Sequence, residues 1–151
     1  MDVELTYDHL GSRLRRIGEV ELAYDLFGVR PTAVGPWWLE YDRLGSRLCS
    51  VAGVAVEYHR MSRDWQAVGT WTVEQHWMSS SLKRIGPYEV AYDQFSTRLR
   101  MVGPFTLDYA LLGDRPRRVE LPDGVTSLSD DSLLALFLAL YQQEEERRRK
   151  N

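Results

Sequence analysis

Apolar and polar residues alternate through the first half of every seventeen-residue stretch of this chain. Val20, Leu22 and Tyr24 fall on one side, with Glu21 and Ala23 on the other. Period two with β-branched and aromatic residues predicts a half-buried strand. Asp-x-x-Gly follows, as in Asp8 to Gly11, Asp25 to Gly28 and Asp42 to Gly45. Asp favours the first turn position and Gly tolerates a positive φ at the last, so a tight reversal is expected. A second strand then runs to Ile17, Val34, Val51, Val68, Ile85 or Val102, and Gly35-Pro36, Gly86-Pro87 or Gly103-Pro104 leads into the next unit.

Seven such units fill residues 3–121 without insertion, with tyrosine recurring at Tyr7, Tyr24, Tyr41, Tyr58, Tyr92 and Tyr109 and Gln75 breaking the row. A fixed period marks a chain built from one supersecondary unit that cannot bury its apolar face alone. Folding each unit about its turn places Leu5 opposite Leu14, Leu39 opposite Leu48, Val56 opposite Trp65 and Leu107 opposite Pro116. On the other face Glu4 would meet Arg15, Glu89 meet Arg100, Glu40 meet Arg47 and Asp108 meet Arg115. Val3, Val20, Trp37, Val54, Trp71, Tyr88 and Phe105 share one repeat position and are expected inside.

After Pro122-Asp123-Gly124 the period changes. Ser127 or Ser129, with Asp130 and Asp131, supplies an N-cap and an acidic first turn. The following LLALFLALY, Leu133 to Tyr141, is apolar on every side, and such a helix must be buried on every side. Glu144, Glu145 and Glu146 then precede Arg148, Arg149 and Lys150 by four residues, which predicts a polar tail over a helix at 127–150. Nine helical residues rise about 13 Å, which matches the height of short tilted strands, roughly 13–15 Å. The expected fold is therefore all-β with one C-terminal helix. Seven hairpins form a meander of about 12–14 strands, closed into a barrel around the hydrophobic helix. The alternative is an open hairpin solenoid capped by the helix or docking it on a partner.

The D-x-x-G turns between short strands and the ending DGVTSLSDDSLLALFLALYQQ resemble the tubby C-terminal-like superfamily, which includes LURP-one-related and phospholipid scramblase-type proteins. That resemblance implies a closed barrel of twelve antiparallel strands around a hydrophobic C-terminal helix. It also implies a non-enzymatic role near phospholipids or phosphoinositides, and it carries over no individual binding residue.

Composition narrows the chemistry. The 151 residues are one domain's length, and the net charge of -3 argues against a general nucleic-acid binder. Cys49 is the single cysteine, so neither an intrachain disulfide nor a cysteine zinc site is expected. No signal peptide and no span of roughly 18 apolar residues is read, which makes a cytoplasmic protein the expectation. No nucleophile-base pair, glycine-rich phosphate loop or ligand cluster stands out. A non-enzymatic protein without catalytic residues, cofactor or metal is expected.

Function is sought where repeats depart from their consensus. Basic residues crowd the second strands of some units: Arg13, Arg15, Arg16, Lys83, Arg84, Arg98, Arg100, Arg115, Arg117 and Arg118. In a closed barrel these would form one patch suited to anionic lipid headgroups or an acidic protein; the plainer reading is that they pair with Glu4, Glu89 and Asp108. Units four and five diverge differently, placing His59, Asp64 and Trp65 beside His76 and Trp77 in the turn register. A metal or small-molecule site can be built there on paper, with Glu57 and Glu74 near, although drift of the middle repeats explains the same residues. Trp38 and Trp77 are the aromatic residues expected outside the core. Three functions remain: an anionic-surface or acidic-partner scaffold, a protein-protein module using the helix, or a site at the divergent repeats.

Overall fold

A computed structural model describes residues 1–8, 13–26, 28–42, 47–93 and 98–150. Fourteen strands precede one helix: β1 (Asp2–Tyr7), β2 (Leu14–Ile17), β3 (Val20–Tyr24), β4 (Pro31–Val34), β5 (Trp37–Tyr41), β6 (Leu48–Val51) and β7 (Val54–Tyr58) come first. Then follow β8 (Trp65–Val68), β9 (Trp71–Gln75), β10 (Leu82–Ile85), β11 (Tyr88–Tyr92), β12 (Leu99–Val102), β13 (Phe105–Tyr109), β14 (Pro116–Glu120) and α1 (Asp130–Lys150). Each strand pairs antiparallel with its sequence neighbours, and β1 lies beside both β2 and β14, which closes the barrel. The open-solenoid alternative is therefore set aside, and the meander has two strands more than the twelve that the tubby resemblance implies.

The expected register is corrected. Leu5 faces Ile17, Leu39 faces Val51, Val56 faces Val68 and Leu107 faces Val119, while Tyr7, Tyr41, Tyr58 and Tyr109 face Leu14, Leu48, Trp65 and Pro116. Two causes act together. The four-residue reversal is present, with the Gly28 amide donating to the Asp25 carbonyl at 3.0 Å, but it sits inside a longer loop. That loop is closed by the Asp8 amide on the Arg13 carbonyl (3.0 Å) and by the Asp42 amide on the Arg47 carbonyl (2.9 Å). Gly11 and Gly45, the ends of two expected turns, lie outside the described residues. The second cause is a β-bulge in every first-to-second strand pair, for example between Thr6 and Tyr7 and between Asp108 and Tyr109. A bulge sets two residues against one. Leu14 and Ile17 are both buried while Arg15 and Arg16 between them are both exposed.

The return turns are two residues long and need a left-handed first residue. Gly103 has φ +57°, and a Cβ there would meet Tyr88 Cδ1 at 2.6 Å; Gly69 has φ +59° and would meet Val54 Cγ1 at 2.6 Å. With Pro104 next, this is the II′ hairpin geometry that matches strand twist.

Two compact units arise, one of residues Glu4–Thr72 and one of Met1–Val3 with Val73–Asn151. In the second unit α1 packs against β12 and β10. Ser129 caps it, its Oγ accepting from the Ser132 amide at 3.1 Å. Ala135 to Leu140 are six consecutive buried residues, and the five steps of about 100° between them sweep the whole helix circumference. The dry half is thus satisfied within its own chain. In the polar half Glu144 pairs with Arg147 and Glu145 with Arg148, each three residues on, while the Lys150 side chain lies outside the described residues.

Candidate functional site

The bulge decides which basic residues can meet a ligand. By turning two successive positions outward it places Arg15 and Arg16, Lys83 and Arg84, Arg100 and Met101, and Arg117 and Arg118 on the outer face of their strands. Their surroundings differ. Arg84 lies 2.6 Å from Glu89 and 3.5 Å from Glu74. Arg117 and Arg118 both hold Asp108, at 3.0 and 3.2 Å, and the Arg117 hydrogen bond foremost keeps that carboxyl below its usual range. Arg16 reaches Glu21 at 3.5 Å. Arg15, Lys83 and Arg100 are exposed and have no ion pair among the described residues.

Three of the ten basic candidates have structural work of their own. Arg98 Nε donates to Asp93 at 2.8 Å, Nη1 donates to the Gly113 carbonyl at 2.9 Å, and the guanidinium lies 4.4 Å over the Tyr109 ring. Arg13 repeats this with Asp8, the Gly28 carbonyl and Tyr24. Arg115 is held by Glu144 of α1 at 2.8 Å. The expected strand partners Glu4–Arg15, Glu89–Arg100, Glu40–Arg47 and Asp108–Arg115 do not form among these residues, because the register has moved. Arg47 turns to Asp42 instead.

The tyrosine row binds the repeats from the other side. Tyr24, Tyr41 and Tyr58 donate their hydroxyls to the carbonyls of Leu14 (2.7 Å), Pro31 (2.6 Å) and Leu48 (2.8 Å), and Tyr109 donates to Leu99. Each bond runs ten residues back, into the preceding repeat. The Asp-x-x-Gly-x-Arg arginine and the tyrosine thus fasten one hairpin to the next.

The divergent repeats are distributed between the two compact units, His59 and Asp64 in one and His76 and Trp77 in the other. The His59 amide donates to the Asp64 carbonyl at 2.9 Å and the His76 amide to the Ser81 carbonyl at 2.8 Å, the same loop closure the aspartates make elsewhere. His59 borders a shallow cavity of about 560 Å³ that also touches Arg47, Glu57, Arg60 and Met61. Among the described residues no three His, Cys, Asp or Glu side chains gather into a metal-holding group. Trp65 is 2% exposed, an inner residue of β8, and so leaves the expected site at the divergent repeats; Trp77 and Trp38 are exposed. Of the expected inner row, Phe105 is buried and Val3, Val20, Trp37, Val54, Trp71 and Tyr88 are half-buried.

Another set escaped the sequence reading. Among the described residues, seven of the nine exposed large hydrophobic residues lie in loops that follow odd-numbered strands, which is too regular for scatter. They are Leu26 and Val29, Met61, the pair Trp77-Met78, and the pair Leu111-Leu112. The signal was available, since the two x positions of Asp-x-x-Gly hold a large apolar residue in every unit. No protein family, curated protein or solved structure matches this chain.

Proposed function

We propose that this barrel is a non-enzymatic binding or scaffold protein that engages an anionic surface through its outward basic row. The observation that carries this reading is the pair Lys83 and Arg100. They occupy the same repeat position on β10 and β12, point outward by virtue of the bulge, and have no acidic partner among the described residues. Arg84, Arg117 and Arg118 flank them but share their charge with Glu74, Glu89 and Asp108. The tubby resemblance implies the same class of ligand. Attachment would be peripheral. Among the described residues no helix is long and apolar enough to cross a membrane. The strands have four to six residues and carry charges outward, whereas a membrane-spanning strand needs about 9–11 residues with an apolar outer band.

The test is sedimentation with vesicles of neutral or of 30–40% anionic lipid (about that fraction, to give a surface potential of the usual size), at low and physiological salt. Each Lys or Arg near such a surface contributes about 1 kcal/mol. The Lys83→Gln, Arg100→Gln variant should therefore bind about thirtyfold more weakly than wild type. Binding should fall with salt, as exposed charges are screened beyond about 8 Å at physiological strength. Equal binding to neutral vesicles, or by the variant, would overturn the basic row as the binding surface.

A further inference from the structure

We infer that the apolar loop tips following β9 and β13, Trp77-Met78 and Leu111-Leu112, insert into the interfacial layer of an anionic bilayer. The inference rests on the proposed anionic-surface reading and names its partner. These side chains are at the limit of exposure: Trp77 90%, Leu111 95% and Leu112 96%. Leu112 is also held at φ +67°, in the left-handed region that a branched residue with a Cβ enters only at a cost. Met61, 97% exposed at the tip following β7, shares the feature with φ +58°. A folded chain that keeps bulky apolar residues in a strained conformation, wholly in water, gains nothing from packing them. The gain comes when something apolar covers the tip.

Charge around the tips selects the cover. The C-terminal end of α1 lies against the Leu111–Asp114 loop, because Arg115 Nε meets Glu144 and Arg147 Nη2 donates to the Asp114 carbonyl at 2.9 Å. That end of α1 carries Glu144 and Glu145, paired with Arg147 and Arg148, and then Arg149, which is exposed and without an ion pair among the described residues. In the other unit Met61 stands between Arg60 and Arg63, both exposed and likewise unpaired. An apolar tip bordered by free cations, as Met61 is by Arg60 and Arg63, fits the boundary between acyl chains and anionic headgroups. Trp77 suits that boundary too, with an apolar ring and one polar N–H. A second copy of the chain seated on Met61 tip to tip would set Arg60 and Arg63 against like charges. A bilayer meets them with opposite ones.

Each tip is read with an environment-sensitive fluorophore. It is placed on Leu112→Cys in a Cys49→Ser background, with Pro104→Cys at the other end of β13 as the comparison. Anionic vesicles should blue-shift the Leu112 label and shield it from aqueous quencher, leaving the Pro104 label unchanged. In unlabelled protein, Trp77→Ser, Met78→Ser, Leu111→Ser, Leu112→Ser should weaken vesicle binding about tenfold or more, with the thermal midpoint kept as proof of folding. Three results overturn the inference. Binding with the Leu112 label still in water, or undiminished in the serine variant, would leave the basic row sufficient and the tips idle. Lipid-free dimers that the serine variant abolishes would make the tips a self-association surface. No binding of any form would remove the anionic-surface reading together with this one.

Discussion

At the scale of single residues, the tyrosines show most directly how burial becomes a measurable property. Tyr92 and Tyr109 are half-buried, and that partial desolvation raises both phenol pKa values well above the ordinary range. The Glu146 carboxylate beside Tyr92 pushes in the same direction, whereas Arg98 over Tyr109 pulls the other way. An unfolded chain releases these protons near pH 10. Above that value the unfolded state holds fewer protons than the folded one, so stability falls as pH rises; below it the contribution is fully present. A tyrosinate absorbance titration followed beside far-UV circular dichroism should therefore show Tyr92 and Tyr109 ionising only as the fold is lost. Uniform titration near pH 10 in a protein that stays folded would show that these hydroxyls are not desolvated. The same residues explain why Arg13 and Arg98 are poor candidates for ligand contact. Each guanidinium already serves an aspartate, a carbonyl and a tyrosine ring, so moving it to a phosphate would release all three.

At the scale of elements, the strands, their closed meander and the helix were legible, and the register between paired strands was not. Alternation at Val20, Leu22 and Tyr24 marks β3, and the all-round apolar run from Leu133 marks the dry half of α1, because both signals are local. Register is nonlocal and depends on the loop and the bulge. The sequence does hold a trace of the bulge: Leu14 and Ile17, Leu48 and Val51, Leu99 and Val102 are apolar at a spacing of three, which a regular strand would send to opposite faces. The loop-tip residues were hidden for a different reason. Reading Asp-x-x-Gly as a tight turn assigns meaning to the Asp and the Gly and leaves the x positions empty, yet Met61, Met78 and Leu112 stand there. Leu10, Phe27, Leu44 and Phe95 share that position in sequence and lie outside the described residues. The helix yields the prediction that belongs to this scale. Leu138 is fully buried, and Leu138→Ala should cost about 2–5 kcal/mol through lost transfer and cavity terms. Leu134, on the same helix but half-buried, should cost less when cut to Ala. Urea unfolding of the two variants checks the ranking. Equal and small effects would mean that the apolar half of α1 is not part of the core.

At the scale of the whole molecule, closure is what separates this barrel from an open sheet built of the same hairpins. In an open meander the first and last strands would each present a row of unpaired N–H and C=O groups, a template for pairing with another chain. Here β1 takes both places, lying against β2 on one side and β14 on the other, and the Leu121 amide donates to the Met1 carbonyl at 2.9 Å where the two ends meet. Outward charges such as Glu21, Glu89 and Arg100 do not protect those backbone edges, since side chains on the sheet face leave the edge groups free. That one strand therefore guards two edges at once. Removing residues 2–7 should leave β2 and β14 each with one open edge while every other strand pair is kept. The truncated chain should form concentration-dependent oligomers at micromolar levels, measured by sedimentation velocity, with β-rich circular dichroism retained. Adding lysine at edge positions of β14 should suppress that association, since charge blunts an exposed edge. A truncated chain that stays monomeric and folded would show that the edges are covered by something other than β1, and closure would then be a consequence of the hairpin count instead of the feature that keeps the chain from sticking to itself.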